Sequence, residues 1–253
     1  MQNTAQDQAA TSTRKQRDLL KREQLILDAA QTMLHQHGYN HLTMDRVAEA
    51  VEYSKGTIYN HFVSKEDLVC SLCCRYISNL IEIVQRAYNF AGSTRERYSA
   101  IGIGYSLHHQ LHPMDSQIVQ TVKNNAVREK ISKAKLFEME SLEKKITKIA
   151  QSIVRDAIDS GELDKKHQDE ISTIVFGFWS MHYGAVLLDQ SDIPLHELGY
   201  SPVVKMLWHN ANIYLDGYQW QPLSTTSDTE NLFEKISLAL FDDKIQHKKK
   251  LMI

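Results

Sequence analysis

Apolar side chains recur every three or four residues along most of the chain, which is the spacing that places them on one face of an α-helix. In the first helical stretch they repeat as pairs at seven-residue intervals: Leu19-Leu20, Ile26-Leu27 and Met33-Leu34. The same spacing returns later at Met139, Leu142, Ile146, Ile149, Ile153 and Ala157. Because the chain shows no convincing apolar–polar alternation of the strand type, the pattern predicts an all-α fold.

Capping residues divide this pattern into helices. Thr43 and Ser54 are N-caps for two short helices that end near residues 51 and 61. A capping-box variant at Ser64 opens a long helix that runs towards residue 90. Further helices are predicted over 94–110, 114–124, 139–161, 168–189 and 202–218, and a last one follows a capping box at Ser227.

These helices group into segments with different compositions. Residues 1–13 are polar and lack the apolar core of a signal peptide, so we expect a disordered N-terminal arm there. The first three helices form a small domain over 14–63, and the later helices form a bundle over 64–246. The last segment, 247–253, is a basic tail.

Charge and cysteine content narrow the function classes only slightly. The 253 residues include 29 basic and 31 acidic side chains, a formal charge of −2, whereas nucleic-acid-binding domains are usually basic. Basic residues do cluster on the first helix, either as a solvated helix start or as an extension that neutralises phosphates: Arg14, Lys15, Arg17, Lys21 and Arg22.

The odd number of cysteines does not fit a secreted disulfide framework, and a cytoplasmic location is expected. Cys70, Cys73 and Cys74 share one helix face without a downstream ligand set, so we expect them to be buried apolar side chains.

One uncharged stretch is a candidate for a membrane-spanning helix. Residues 171–188 contain no Asp, Glu, Lys or Arg and just reach the length of a spanning helix. Acidic residues bound both ends, without the Lys/Arg asymmetry that orients a span. We therefore expect no membrane association and a helix covered on one face by its own chain and on the other by a second copy.

The two short helices over 43–61 carry the most informative chemistry. Two short helices joined by a tight turn after a longer helix have the layout of a helix-turn-helix. The second one presents donors, acceptors and aromatic rings without an acid, which suits the edges of bases in a major groove: Lys55, Thr57, Tyr59, Asn60 and His61. Ser54 and Gly56 leave its first turn uncluttered, so that backbone N–H groups can approach phosphate.

The segment from Thr43 to Leu68, TMDRVAEAVEYSKGTIYNHFVSKEDL, resembles the signature of TetR/AcrR-type transcriptional regulators. The resemblance covers about 50 residues, 19–68, and implies a homodimer whose paired helix-turn-helix domains bind DNA while the C-terminal helices hold a small-molecule pocket. It also implies that Thr43, Tyr59 and Lys65 contact the phosphate backbone.

Two residues depart from the family pattern in the turn. Glu52 stands where the family usually has Gly, and a side chain held at positive φ costs roughly 1–2 kcal/mol, so the turn is either strained or shaped differently. Tyr53 stands where a small aliphatic residue is usual. Both departures affect the fine geometry of the turn and leave the DNA-contacting positions in place.

Candidate ligand residues lie among the later helices. A cleft that is mostly apolar with a few polar groups is the expected ligand site, and the helix over 168–189 is one of its walls. The candidates are Trp179 and His182, followed by Tyr105, His109, Met114 and Phe137. His108 and His112 are spaced to hold a metal, but no Glu or Asp accompanies them in the HExxH arrangement, so no metal or other cofactor is expected.

The sequence thus predicts an N-terminal three-helix DNA-binding domain and a C-terminal helical ligand-binding and dimerisation domain, with no catalytic residues. The expected function is that of a dimeric transcriptional repressor that a small molecule releases from a palindromic double-stranded operator. The alternatives are a regulator that needs no ligand and an all-α enzyme that uses the histidines with a metal.

Overall fold

The structure, a computed structural model, describes residues 2–191 and 193–241, and every regular element within those ranges is helical. The prediction of an all-α fold is therefore confirmed. The helices are α1 (Gln2–His37), α2 (Met44–Ala50), α3 (Lys55–His61), α4 (Lys65–Tyr88), α5 (Thr94–Leu111), α6 (Pro113–Lys123), α7 (Asn125–Arg128), α8 (Lys133–Ser160), α9 (Ile171–Asp189), α10 (Val203–Gly217) and α11 (Thr229–Phe241). Short 3₁₀ turns lie at Tyr39–His41, Lys165–Glu170, Leu195–Leu198 and Ser224–Thr226.

The chain divides into two compact units, and the division differs from the boundary after residue 63 that the sequence predicts. The first unit comprises Met1–Arg75 together with Met114–Met139. The second comprises Tyr76–Pro113 and the chain from Glu140 onward. Buried apolar residues at the start of α4, such as Leu68 and Val69, explain why this helix begins inside the first unit.

Polar contacts tie the segment 114–139 into the first unit. The Asp115 carboxylate accepts a hydrogen bond from Gln31 Nε2 at 2.5 Å and lies 2.7 Å from His35 Nε2. The Asp67 carboxylate accepts from the backbone N–H of Ser132 at 2.7 Å. These partners are 65 to 84 residues apart in sequence, so helical periodicity alone gives no signal for them.

The core of the first unit is built where the three N-terminal helices meet. Ile26 of α1, Val47 of α2 and Ile58 of α3 are fully buried. Ala48 is also buried, and its small side chain allows α2 and α3 to cross closely. Cys70, Cys73 and Cys74 are free thiols buried in this unit, as the sequence predicts.

The second unit has an aromatic core with a charged group inside it. The ring of Tyr98 lies 4.7 Å from that of Phe178 and 5.0 Å from that of Trp220, between centroids. Arg95 is buried and forms an ion pair of 2.7 Å with Asp216, and it also donates to the Trp220 carbonyl at 2.8 Å. A buried guanidinium needs such partners, because an unpaired charge costs several kcal/mol.

Two local expectations differ from the structure. A disordered arm is expected over 1–13, but α1 begins at Gln2. This segment has no Pro or Gly to interrupt a helix that, once nucleated, adds one hydrogen bond per residue. Ser227 is expected to cap the last helix, but Asp228 does so by accepting from the Asn231 N–H at 3.1 Å. Ser227 instead donates its hydroxyl to the Leu223 carbonyl. The basic tail over 247–253 lies outside the described residues.

Candidate functional site

The two short helices start at the caps that the sequence predicts. The Thr43 hydroxyl accepts a hydrogen bond from the Arg46 N–H at 3.3 Å at the start of α2. The Ser54 hydroxyl accepts from the Thr57 N–H at 3.1 Å at the start of α3. Each cap satisfies a backbone donor that the first turn of a helix leaves without a partner.

The turn between α2 and α3 is made by a residue in the left-handed conformation. Glu52 has φ of 55°, so the conformation that this turn normally assigns to Gly is adopted here by a side-chain-bearing residue. The Tyr53 N–H then bonds to the Ala48 carbonyl at 2.9 Å, which closes the turn. Of the two expected outcomes, a strained turn or a differently shaped one, the structure has the left-handed conformation that is strained for a residue with a Cβ.

The predicted DNA-contacting residues of α3 lie on its surface. Lys55, Gly56 and Asn60 are exposed, Thr57 and His61 are half-buried, and Tyr59 is 49% exposed. A Cβ placed on Gly56 meets only the Ser54 hydroxyl, at 3.8 Å, so nothing in the protein itself requires glycine at this position. These side chains project from α3 while Ile58 anchors its other face in the core.

Two of the basic residues near this surface already have partners within the protein. The Lys55 ammonium lies 2.5 Å from the carboxylate of Asp45 on α2. Lys65 is half-buried, donates to the Tyr39 carbonyl at 2.7 Å, and lies 3.8 Å from the centre of the Tyr39 ring. Burial of the Lys65 ammonium lowers the pKa of Lys65. Burial of the Tyr39 hydroxyl, together with the neighbouring Glu66 carboxylate, raises the pKa of Tyr39 to about 12.

Sequence reasoning missed three residues on this surface. Asp45 and Tyr39 hold the two lysines, and Arg46 donates to the His41 carbonyl at 2.8 Å. Asp45 occupies the first turn of α2, where an acid also favours the helix dipole. A lysine ten residues away gives no local signal of pairing, since the contact depends on how α2 and α3 cross.

A small cavity lies within the second unit. Its walls come from α5, α9, α10 and α11, and they include Ser99, Gly102, Ser106, His182, Trp208 and Phe233. His182 is buried, and a Cβ on Gly102 would lie 2.5 Å from its Nε2, so glycine at 102 allows this histidine to approach α5 closely. Burial lowers the pKa of His182 to about 4, so its imidazole is neutral at pH 7.

Of the six ligand candidates chosen from the sequence, His182 lines this cavity and the others lie elsewhere. Tyr105 packs edge-on against His109 at 4.3 Å between ring centroids. His109 also lies 2.8 Å from the Tyr76 hydroxyl, and burial lowers the pKa of His109 to about 3. Trp179 is exposed on α9, while Met114 and Phe137 are exposed in the first unit.

The histidines at the end of α5 pack against one another and against Tyr76. The rings of His108 and His112 are 5.1 Å apart, and Tyr76 stacks on His108 at 4.4 Å. Within residues 2–191 and 193–241, no three His, Cys, Asp or Glu side chains are placed to hold a metal ion.

Helix α9 exposes an apolar surface that consists of Phe176, Trp179, Leu187 and Leu188. Phe176 is 62% exposed and Leu188 is 60% exposed. The stretch Lys165–Asp189 is long and apolar enough to cross a membrane by length and composition. A helix that packs against other protein passes the same test.

Comparison with known proteins points to one family for the N-terminal segment. The profile described as "Bacterial regulatory proteins, tetR family" matches residues 26–72, which contain α2 and α3. The HTH-type transcriptional repressor AcnR of Corynebacterium diphtheriae is 36% identical over 67 residues, which are 26% of this chain and 35% of AcnR. The uncharacterized HTH-type regulator YhgD of Bacillus subtilis is 29% identical over 148 residues, which are 57% of this chain and 73% of YhgD.

Solved structures extend the likeness to the fold beyond this segment. A TetR transcription regulator from Haloarcula marismortui has a TM-score of 0.62 over 78% of this chain and 98% of its own, at 15% identity. At that identity the likeness concerns the fold. The chain spans about a third of AcnR, so what that whole protein does is a separate question.

Proposed function

We propose that this chain, a member of the TetR family of bacterial regulatory proteins, is a homodimeric transcriptional repressor that binds a palindromic DNA operator and is released from it by a small molecule. The observation that carries the proposal is the surface of α3. Its exposed side chains combine a cation, an amide and an aromatic hydroxyl on a helix whose opposite face is anchored by Ile58. A helix of this kind can enter the major groove and reach base edges.

The apolar surface of α9 supports the dimer. Leaving Phe176 and Leu188 in water forfeits the free energy of their burial, about 25 cal/mol per Å² of apolar surface. A second copy related by a two-fold axis covers the same surface on both subunits. Gly177 also allows the Tyr214 hydroxyl to reach the Ile174 carbonyl at 3.0 Å, so α9 and α10 are closely packed.

In the proposed mechanism, the protein makes and breaks no covalent bond. The free dimer places its two α3 helices about 34–36 Å apart, to fit successive major grooves on one face of the duplex. A small molecule that binds a different dimer geometry more tightly shifts the population towards it and weakens operator binding. Such a DNA-bound regulator acts in the cytoplasm.

The test is selection of DNA from a random duplex library by the full-length protein, followed by anisotropy titration of the selected site. Tyr59→Ala should weaken binding to all sequences to a similar extent, because its hydroxyl is proposed to contact phosphate. Asn60→Ala should instead change the base preference at one position of each half-site, where a good base contact is worth about 1–3 kcal/mol.

Tyr200 provides the matched control, since it is a tyrosine of the second unit with 55% exposure. Tyr200→Ala should leave DNA affinity unchanged. Failure to enrich any sequence would contradict the proposal, and identical behaviour of the Tyr59 and Asn60 variants would contradict the separation of their roles.

A further inference from the structure

We propose that the cavity between α5, α9, α10 and α11 binds a neutral, mostly apolar molecule through a single hydroxyl group. This inference rests on the proposed function, because it assigns a ligand class to the effector site. It is carried by buried polar residues that line the cavity and by the charge and exposure of the remaining wall.

The first observation concerns the hydroxyl of Ser106. Ser106 is buried, and its Oγ has no hydrogen-bond partner in the part of the chain that the structure describes. Serines within helices usually bond back to the carbonyl four residues earlier, as Ser71 does with Asp67 at 2.9 Å. A buried hydroxyl without a partner destabilises the fold, and a ligand that bonds to it removes this cost.

His182 supplies an acceptor in the same cavity. Its Nδ1 lies 2.8 Å from the Phe178 carbonyl, which can only accept, so Nδ1 carries the proton. The other ring nitrogen, Nε2, is therefore an acceptor, and it is directed at Gly102 in the cavity wall. A hydroxyl group matches this pair, because it can donate to Nε2 of His182 and accept from Oγ of Ser106.

The size of the cavity suits the head of such a molecule. As it stands, the cavity has room for about one water molecule. A water is stable in a buried site when it has two to four polar partners, and the polar residues of the lining are Ser99, Ser106 and His182. A ligand hydroxyl that takes over this position reproduces the hydrogen bonds of the water and loses nothing by displacing it.

The absence of charge in the wall excludes ionised ligands. None of the residues that line the cavity is Asp, Glu, Lys or Arg. Arg95, one turn before Ser99 on α5, is already held by Asp216. A carboxylate or an ammonium group in this cavity would be buried without a counter-charge, which costs far more than burying a hydroxyl that is hydrogen-bonded.

The apolar part of the ligand has one direction in which to extend. Among the lining residues, Trp208 and Phe233 are partly exposed and the rest are buried. Their rings lie 5.7 Å apart between centroids, on α10 and α11. Separation of these two rings opens the cavity to the surface and leaves an aromatic channel for a chain or ring attached to the hydroxyl.

Matched pairs of probes test the inference by isothermal titration calorimetry on the full-length protein. The pairs are 1-octanol against octanoate and 4-propylphenol against 4-propylbenzoate. We expect at least one alcohol to bind at least tenfold more tightly than its carboxylate counterpart. Ser106→Ala should weaken the binding of that alcohol about fivefold, which corresponds to the loss of one hydrogen bond of about 1 kcal/mol.

Ser71→Ala is the control variant, because Ser71 is also a buried helical serine but lies in the first unit. It should leave the affinity for the alcohol unchanged. Ala211→Leu, which fills the cavity, should abolish binding while circular dichroism shows a folded protein. Equal affinity for alcohol and carboxylate, no binding of either alcohol, or full affinity in Ser106→Ala would each overturn the inference.

Release from DNA is measured separately, so that the two proposals fail in different ways. If the alcohol binds with the expected dependence on Ser106 but does not lower operator affinity, the ligand class stands and the effector role in the proposed function is wrong. If the protein selects no DNA at all, the proposed function is wrong, and the calorimetry still decides the chemistry of the cavity.

Discussion

Lys55 carries the positive charge of α3, and the carboxylate of Asp45 on the neighbouring helix lies 2.5 Å from its ammonium group. The side chains are 65% and 59% exposed, so water screens the pair and its contribution to stability is about 0–1 kcal/mol. The carboxylate therefore affects DNA binding more than folding. It repels phosphate and competes with phosphate for Lys55.

Asp45→Asn should accordingly raise affinity for DNA, by up to about fivefold, and should do so for operator and non-operator duplexes alike. The slope of log K against log salt concentration should become steeper by up to about 0.9, the contribution of one more phosphate contact. Fluorescence anisotropy at several salt concentrations measures both quantities. Asp169→Asn, an exposed Asp in the second unit, is the matched control. Unchanged or weaker binding in Asp45→Asn would show that the carboxylate helps to orient Lys55 instead of competing for it.

Glu52 affects the stability of the turn between α2 and α3 through its backbone conformation. Its φ of 55° costs roughly 1–2 kcal/mol for a residue with a Cβ, whereas glycine adopts this conformation freely but loses more entropy on folding. Glu52→Gly should therefore leave the free energy of unfolding unchanged or raise it by up to about 1 kcal/mol. Urea denaturation followed by circular dichroism measures this change.

Glu49→Gly tests the conformational origin of that effect, since Glu49 is an exposed residue within α2 only three positions away. It should lower stability by about 1 kcal/mol, the usual cost of Gly in a helix. A clear loss of stability in Glu52→Gly would instead reveal a contact made by the Glu52 side chain.

At the scale of helices, α9 concentrates apolar surface that the rest of its own subunit leaves exposed. Leu188→Glu places a carboxylate on that surface, and in a two-fold dimer the substitution occurs twice within one interface. The unsubstituted protein should scatter light as a particle of twice the 29.1 kDa chain mass, and the variant as a single chain. Leu20→Glu, at an exposed leucine of α1, should remain dimeric. A monomeric unsubstituted protein, or a variant that stays dimeric, would contradict the role of α9.

The helices themselves could largely be predicted, because periodicity and capping are local properties. Thr43 and Ser54 cap the helices that they are predicted to cap. The left-handed conformation of Glu52 is one of the two outcomes that the sequence leaves open. Partners that are distant in sequence could not be predicted. Arg95, for example, reads as one more charged residue near the start of a helix, yet it is buried against Asp216. The place of His182 in an uncharged helix makes it a ligand candidate, but helical phase alone does not predict that it lines a cavity.

For the whole molecule, the net charge of −2 gives little indication of what the chain binds, because the charges are unevenly placed. Residues 1–75 contain nine basic and nine acidic side chains, and five of the basic ones lie between Arg14 and Arg22, all exposed. Non-specific attraction to DNA scales with the phosphates that are neutralised. We therefore expect weak non-specific binding, with affinity that depends on two matched half-sites.

The stability of the whole molecule should depend on pH through two histidines of the second unit, the buried His182 and the half-buried His109. Burial lowers the pKa of His109 to about 3 and that of His182 to about 4, whereas both titrate near 6.5 when unfolded. The unfolded chain therefore takes up protons first as the pH falls. The stability contributed by the neutral rings is fully present above about pH 6.5 and is lost progressively below it, by about 2 kcal/mol for each histidine at pH 5.

Urea denaturation at pH 7.5 and pH 5 measures this loss, and substitution assigns it to a residue. In His109→Gln the loss between the two pH values should be smaller by about 2 kcal/mol, because glutamine takes up no proton in either state. His209→Gln is the control, since His209 is exposed and belongs to the same unit. If the loss of stability is the same in all three proteins, protonation of His109 does not drive it, and the acid sensitivity of the molecule comes from its carboxylates instead.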